Sequence, residues 1–91
     1  SECGIEETLW KASARHLLRK DLGAADVGDV LLFRMRANSV AKHLGIQTVV
    51  GDEAQFIHAY AGRAVVESPL SAPWARRIVA RFSFPERLVQ D

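Results

Sequence analysis

Apolar residues recur at helical spacing in the first part of the chain and at strand spacing after it. Over residues 6–20, Trp10, Ala14, Leu17 and Leu18 share one helical face while the opposite face is polar. That spacing predicts an amphipathic helix packed from one side. Glu6 and Glu7 in its first turn and Arg19 and Lys20 in its last suit the helix dipole, and Gly23 is a stop signal. The period then changes. Gly28-Asp29 reads as a turn into a strand over 30–36, which opens on the continuously apolar run Val30-Leu31-Leu32-Phe33. Such a strand is covered on both faces and central in its sheet. Residues 37–39 form a short connection. Strands follow over 40–49, 55–60 and 64–67, the first two joined through Gly51-Asp52. Two prolines make 68–73 irregular, and 74–77 fits one helical turn. Residues 78–84 alternate, with Ile78, Ala80, Phe82 and Phe84 inward and Arg81 and Ser83 outward, and Pro85 ends the run. The result is an α+β fold, with one N-terminal helix packed on an antiparallel meander of about five strands.

At 91 residues the chain makes one small domain, 1–91, with a single core and little margin. Its 48% hydrophobic and 25% charged residues are those of an ordinary globular protein. A net charge of +1 supplies no global field for nucleic acid, and no apolar run is long enough to span a bilayer. Neither nucleic-acid binding nor membrane insertion is therefore expected. There is no secretory signal pattern. Cys3 is the single cysteine, which excludes an internal disulfide framework and leaves too few thiols for a structural zinc site. The chain starts at Ser1 without a methionine, so we expect a processed or trimmed piece of something longer.

The candidate chemistry is a pair of histidines. His43 and His58 each lie inside a strand-like run, and their positions sum to 101. A hairpin centred between Val50 and Gly51 would set them directly opposite each other, with Cβ atoms roughly 4.5–5.5 Å apart. The same register sets Gly45 opposite Phe56, where glycine leaves room for the ring, and Leu44 opposite Ile57 on the other face. The plain alternative is two half-buried sheet residues with no catalytic role. Close imidazoles do chemistry as metal ligands or as a proton relay. Metal binding needs a further His, Cys or carboxylate. His16 is poorly placed on the helix and no acid is an obvious partner, so no metal or cofactor is expected. A relay needs only a Cys or Ser nucleophile across a cleft. Tyr60 has the strand parity of His58 and is the candidate substrate contact; the alternative is a rim position that touches no substrate.

Four segments in order, Gly28-Asp29-Val30-Leu31-Leu32-Phe33, His43-Leu44-Gly45-Ile46, Phe56-Ile57-His58-Ala59 and Val65-Val66-Glu67, resemble the sheet half of the NlpC-type cell-wall cysteine peptidases. Phe33-Arg34-Met35-Arg36 and Leu70-Ser71-Ala72-Pro73-Trp74 are similar to the phage-tail and gene-transfer-agent branch of that family. The resemblance covers about residues 6–84, nearly the whole chain. It implies a papain-like α+β fold of which this chain is the C-terminal portion. It also implies hydrolysis of peptide bonds in murein stem peptides, typically next to D-glutamate. The protein would be made in the bacterial cytoplasm and act at the cell wall in a phage or phage-like particle. Its partners would be peptidoglycan stem peptides and other phage tail proteins. Carried over, His43 is the general base and His58 orients it, serving a cysteine at a helix start whose pKa is depressed by the imidazolium and the helix dipole.

The chain departs from the family pattern at the nucleophile. The family's cysteine lies in an Asp-Cys context on a helix upstream of the Gly28-Asp29 turn. Only Cys3 precedes that turn here, and Cys3-Gly4-Ile5 lacks the context and sits before a helix resembling the family's later, non-catalytic one. The expectation is a nucleophile encoded upstream and a chain that is inactive alone. A sheet built to face an absent helix would expose apolar surface, through which a dimer could form. The competing function is a non-enzymatic phage tail or interaction module derived from this fold. Of the remaining residues, Asp29 reads as a turn cap, and Trp10 and Trp74 as core or cover. His16 reads as an ordinary surface residue. Arg76, Arg77 and Arg81 read as a solvated basic face, or alternatively as a contact for anionic stem peptide or glycan.

Overall fold

The computed structural model describes residues 2–36, 41–59 and 64–85, with side chains from residue 8 onward except that of Lys42. Helix α1 (Glu2–His16) is followed by strand β1 (Leu18–Lys20), β2 (Val30–Arg34), β3 (Ala41–Val49), β4 (Gln55–Ala59) and β5 (Val65–Pro69). A single helical turn, α2 (Ala72–Ala75), leads into β6 (Ile78–Ser83). The strands form one six-stranded antiparallel sheet in the order β1-β6-β2-β3-β4-β5. This is the expected α+β architecture. Beyond that expectation, β6 crosses back to pair with β2, and a short β1 closes that edge.

The apolar run at the start of β2 explains the centre of the molecule. Val30, Leu31, Leu32 and Phe33 are all buried, as expected for a strand covered on both sides. Successive side chains point to opposite faces, so one strand feeds two cores. Val30 and Leu32 join Ala41, Ala80 and Phe82 under Leu9, Trp10 and Leu17 of the helical side. Leu31 and Phe33 join Phe56 under Met35, Leu70, Trp74 and Ile78.

The helix starts and ends earlier than its pattern suggested. Arg15 and His16 occupy its last turn, Glu6 and Glu7 lie inside it rather than in its first turn, and Arg19 and Lys20 belong to β1. Arg19 and Lys20 gain more in the strand than at a helix end. The Arg19 guanidinium lies 4.6 Å from the Trp10 ring, and Lys20 reaches Asp29 and Asp26. The buried face is Leu9, Trp10, Ser13 and Leu17, while Ala14 and Leu18 are exposed. Ser13 is small enough to be buried where the helix meets the sheet, and a search for apolar residues passes over it. His16 is exposed, as expected.

Arg81 is the second correction. It does not face outward but is buried, and Phe84 is exposed instead. Because β6 lies inside the sheet with both faces covered, its alternation separates two interiors rather than inside from outside. Arg81 enters the second interior because Asp29 is there to meet it, at 2.9 Å. The proline-rich segment is less irregular than expected: Ser68 and Pro69 extend β5, an edge strand where a proline is tolerated. Pro73 sits in the first turn of α2, where its missing N–H breaks no helical bond.

Candidate functional site: a histidine relay under an indole lid

The β3–β4 hairpin builds the site, in a register that differs from the one expected. His58 pairs with Gly45, and Phe56 with Gln47; His43 faces Phe33 on the other side, in β2. The connection is longer than a tight turn, with Gly51 at φ 96 and the Ala54 N–H donating to the Gly51 carbonyl. The pairing also shifts between Gln47 and Val49. An offset of two residues keeps every side chain on its expected face, whereas an offset of one would have flipped them all. The imidazoles are therefore diagonal neighbours rather than opposed, and long side chains bridge that separation. His43 Nε2 lies 2.8 Å from His58 Nδ1. Gly45 makes this possible, since a Cβ there would come within 2.7 Å of Phe56 Cδ2. The expected room for the ring is real, although the strand partner of Gly45 is His58.

The relay continues beyond the pair. His58 Nε2 is 3.0 Å from Ser68 Oγ, on β5. Trp74, from α2, closes over both rings. It stacks on His43 with centroids 5.6 Å apart and meets His58 edge-on at 4.9 Å. Phe33 and Phe56 complete the enclosure, the latter 4.3 Å from the His58 ring. His58 is 4% exposed and His43 is half-buried. Burial lowers both imidazoles below the ordinary value of 6.5, and the neighbouring His58 lowers His43 further. Both rings are thus neutral at pH 7.

Neutral rings in line have a direction. If His43 donates from Nε2, His58 accepts at Nδ1 and donates from Nε2 to Ser68 Oγ. This leaves His43 Nδ1 as a lone pair, and that nitrogen has no hydrogen-bond partner among the described residues. The arrangement can accept a proton at His43 Nδ1 and spread the resulting charge toward Ser68. Protonated His43 must donate at Nε2, so charging the ring selects this direction.

The two histidines expected to neighbour each other are brought together in the structure. Ser68 escaped the sequence pattern because the nearby prolines assigned that residue to a loop, though its parity in an extended β5 would have aimed it at the site. Trp74, read as core or cover, is cover for this pair. Tyr60 lies outside the described residues. Cys3, expected before the helix, lies in the first turn of α1 because the helix starts earlier than its apolar pattern, and its side chain is outside the described set.

A second polar cluster lies farther along the same sheet face. Asp29 accepts from the Asp26 N–H as the turn cap expected of it, and also from Lys20 and Arg81. Arg81 donates to Gln47 Oε1 and to the Leu22 carbonyl as well. Burial alone would raise Asp29, but the hydrogen bonds from Lys20, the Asp26 N–H and Arg81 outweigh it and hold the carboxyl below its ordinary 3.8. Asp29, through its hydrogen bond, keeps Lys20 above its ordinary value. Arg81 is therefore an internal tie, not part of a solvated basic face. Among the described residues, no group of three His, Cys, Asp or Glu side chains is placed to hold a metal ion, and no helix is long and apolar enough to cross a membrane. Comparison with protein-family models and with curated proteins finds no match for this chain.

Proposed function

We propose that this chain is the histidine-bearing part of a cysteine peptidase that hydrolyses peptide bonds in murein stem peptides. The observation that carries the reading is the 2.8 Å contact between His43 Nε2 and His58 Nδ1, with His43 Nδ1 free of hydrogen-bond partners among the described residues. The resemblance of the strand segments to NlpC-type peptidases supplies the substrate class. In this reading a thiol gives its proton to His43 Nδ1, and the resulting imidazolium donates to His58, which donates to Ser68. The thiolate attacks the peptide carbonyl carbon, and His43 Nδ1 returns the proton to the departing amine nitrogen. Water then hydrolyses the thioester with His43 again taking a proton, releasing the new carboxylate and restoring the thiol. The proposal assigns the attacking thiol to a segment preceding this sequence, because Cys3-Gly4-Ile5 lacks the Asp-Cys context. The protein would work at the cell wall, carried with other tail proteins on a phage-like particle.

A murein digest by the full-length protein, read by mass spectrometry of released stem peptides, tests this. The expected result is a defined product that falls by about 10²–10⁴-fold in His43→Ala. A folded protein with its thiol present and no product would move the assignment to a non-enzymatic tail or interaction module. One observation favours that second reading. An apolar groove of about 460 Å³ is lined by Leu44, Ile46, Ile57, Val65 and Phe84, with His58 also at its wall and Val65 66% exposed. Open apolar surface of this kind suits a protein partner or a second copy.

A further inference from the structure

Beside the histidine site, the end of β2 and the turn after α2 form a cleft that the relay does not use. It holds about 480 Å³ and is lined by Arg34, Met35, Arg36, Arg76, Arg77 and Val79. The two segments are tied together: the Arg34 N–H donates to the Arg77 carbonyl, and Arg77 Nε donates to the Met35 carbonyl at 3.2 Å. The second bond fixes the Arg77 guanidinium plane and leaves its terminal nitrogens for a ligand. Arg76 is exposed beside it. None of the described residues lining it is acidic, so the guanidinium groups of Arg76 and Arg77 bring positive charge into the cleft. The assignment rests on Arg76 and Arg77 alone; Arg34 and Arg36 line the cleft too but are engaged in other interactions.

We propose that this cleft binds the carboxylate end of an acidic peptide residue. Guanidinium forks match the two oxygens of a carboxylate. Met35 and Val79 add an apolar surface between the arginines, which suits a ligand with an aliphatic stem and an anionic tip. A bare phosphate has no such stem, and a long polyanion finds no extended positive surface on a chain whose net charge is only +1. The position fits a peptide ligand as well. The Arg77 guanidinium carbon lies 5.7 Å from the Trp74 ring, and that ring stacks on His43. A peptide crossing the indole would reach both sites; this last step rests on the peptidase reading.

The test is NMR titration of the chain with triglutamate, triglutamine and inorganic phosphate, with signals followed at Arg76, Arg77 and Val79. Triglutamate should shift these signals, triglutamine should not, and phosphate should bind more weakly than triglutamate. Arg76→Gln and Arg77→Gln should each weaken triglutamate about tenfold, the loss of one charged hydrogen-bonding partner. Phosphate binding as tightly as triglutamate would overturn the proposal, as would undiminished binding in both variants. Because the readout is binding without turnover, a chain without peptidase activity leaves the result intact. An active peptidase whose cleft ignores triglutamate defeats only this inference.

Discussion

Two polar clusters share one face of this sheet, and they differ in how fully their members are hydrogen-bonded among the described residues. Around Asp29, the carboxylate, Lys20, Arg81 and Gln47 hold one another and nearby backbone. Around His58, a neutral line runs from Ser68 to His43 and ends at a nitrogen with no partner among the described residues. Burial does not separate them, since His58 is 4% exposed and Arg81 3%. Saturation does. A cluster whose donors and acceptors are matched is scaffold, whereas a relay with one free end can exchange a proton with something that arrives.

The largest effect is expected at the charged cluster. Asp29→Ala would leave buried Arg81 without its counter-charge, and removing one partner of a buried pair costs about 3–5 kcal/mol. Urea unfolding measures this, and a loss under about 1 kcal/mol would place the cluster with weak surface ion pairs. A smaller effect is expected at the other end of the relay. Ser68→Ala removes the hydroxyl 3.0 Å from His58 Nε2, a hydrogen bond worth about 0.5–1.5 kcal/mol. Unchanged stability in that variant would mean that the relay ends at His58.

The pH dependence of stability should separate the two clusters with the gentlest perturbation. Both histidines resist protonation in the folded state, so their contribution is complete above the ordinary value of 6.5. It is lost as pH falls from there toward their lowered folded values. Asp29 holds its charge more strongly when folded, so its contribution is complete above 3.8 and is lost only below that. An unfolding midpoint followed from pH 8 downward should therefore fall in two stages, and His43→Gln should flatten the upper stage alone. A single stage confined to the carboxylate range would remove the argument that the imidazoles are neutral and coupled.

Local pattern was enough for one helix, for β2 to β6 in outline and for which residues of a strand share a face, but it took β1 for the end of the helix. The apolar run from Val30 to Phe33 could only be a covered central strand, because exposing either of its faces would leave apolar surface in water. The parity of His43 and His58 fixed their common side, because strand alternation has a period of two whatever the register. The same logic, applied to β6, failed for Arg81. Alternation tells two faces apart but does not say that one of them is water, and the sheet covered both. The true register, the place of Ser68 and the lid of Trp74 also came only from the assembled sheet. Each depends on loop geometry or on contact between segments distant along the chain. The sequence determined which groups could meet; tertiary packing decided that two imidazoles would meet at hydrogen-bonding distance.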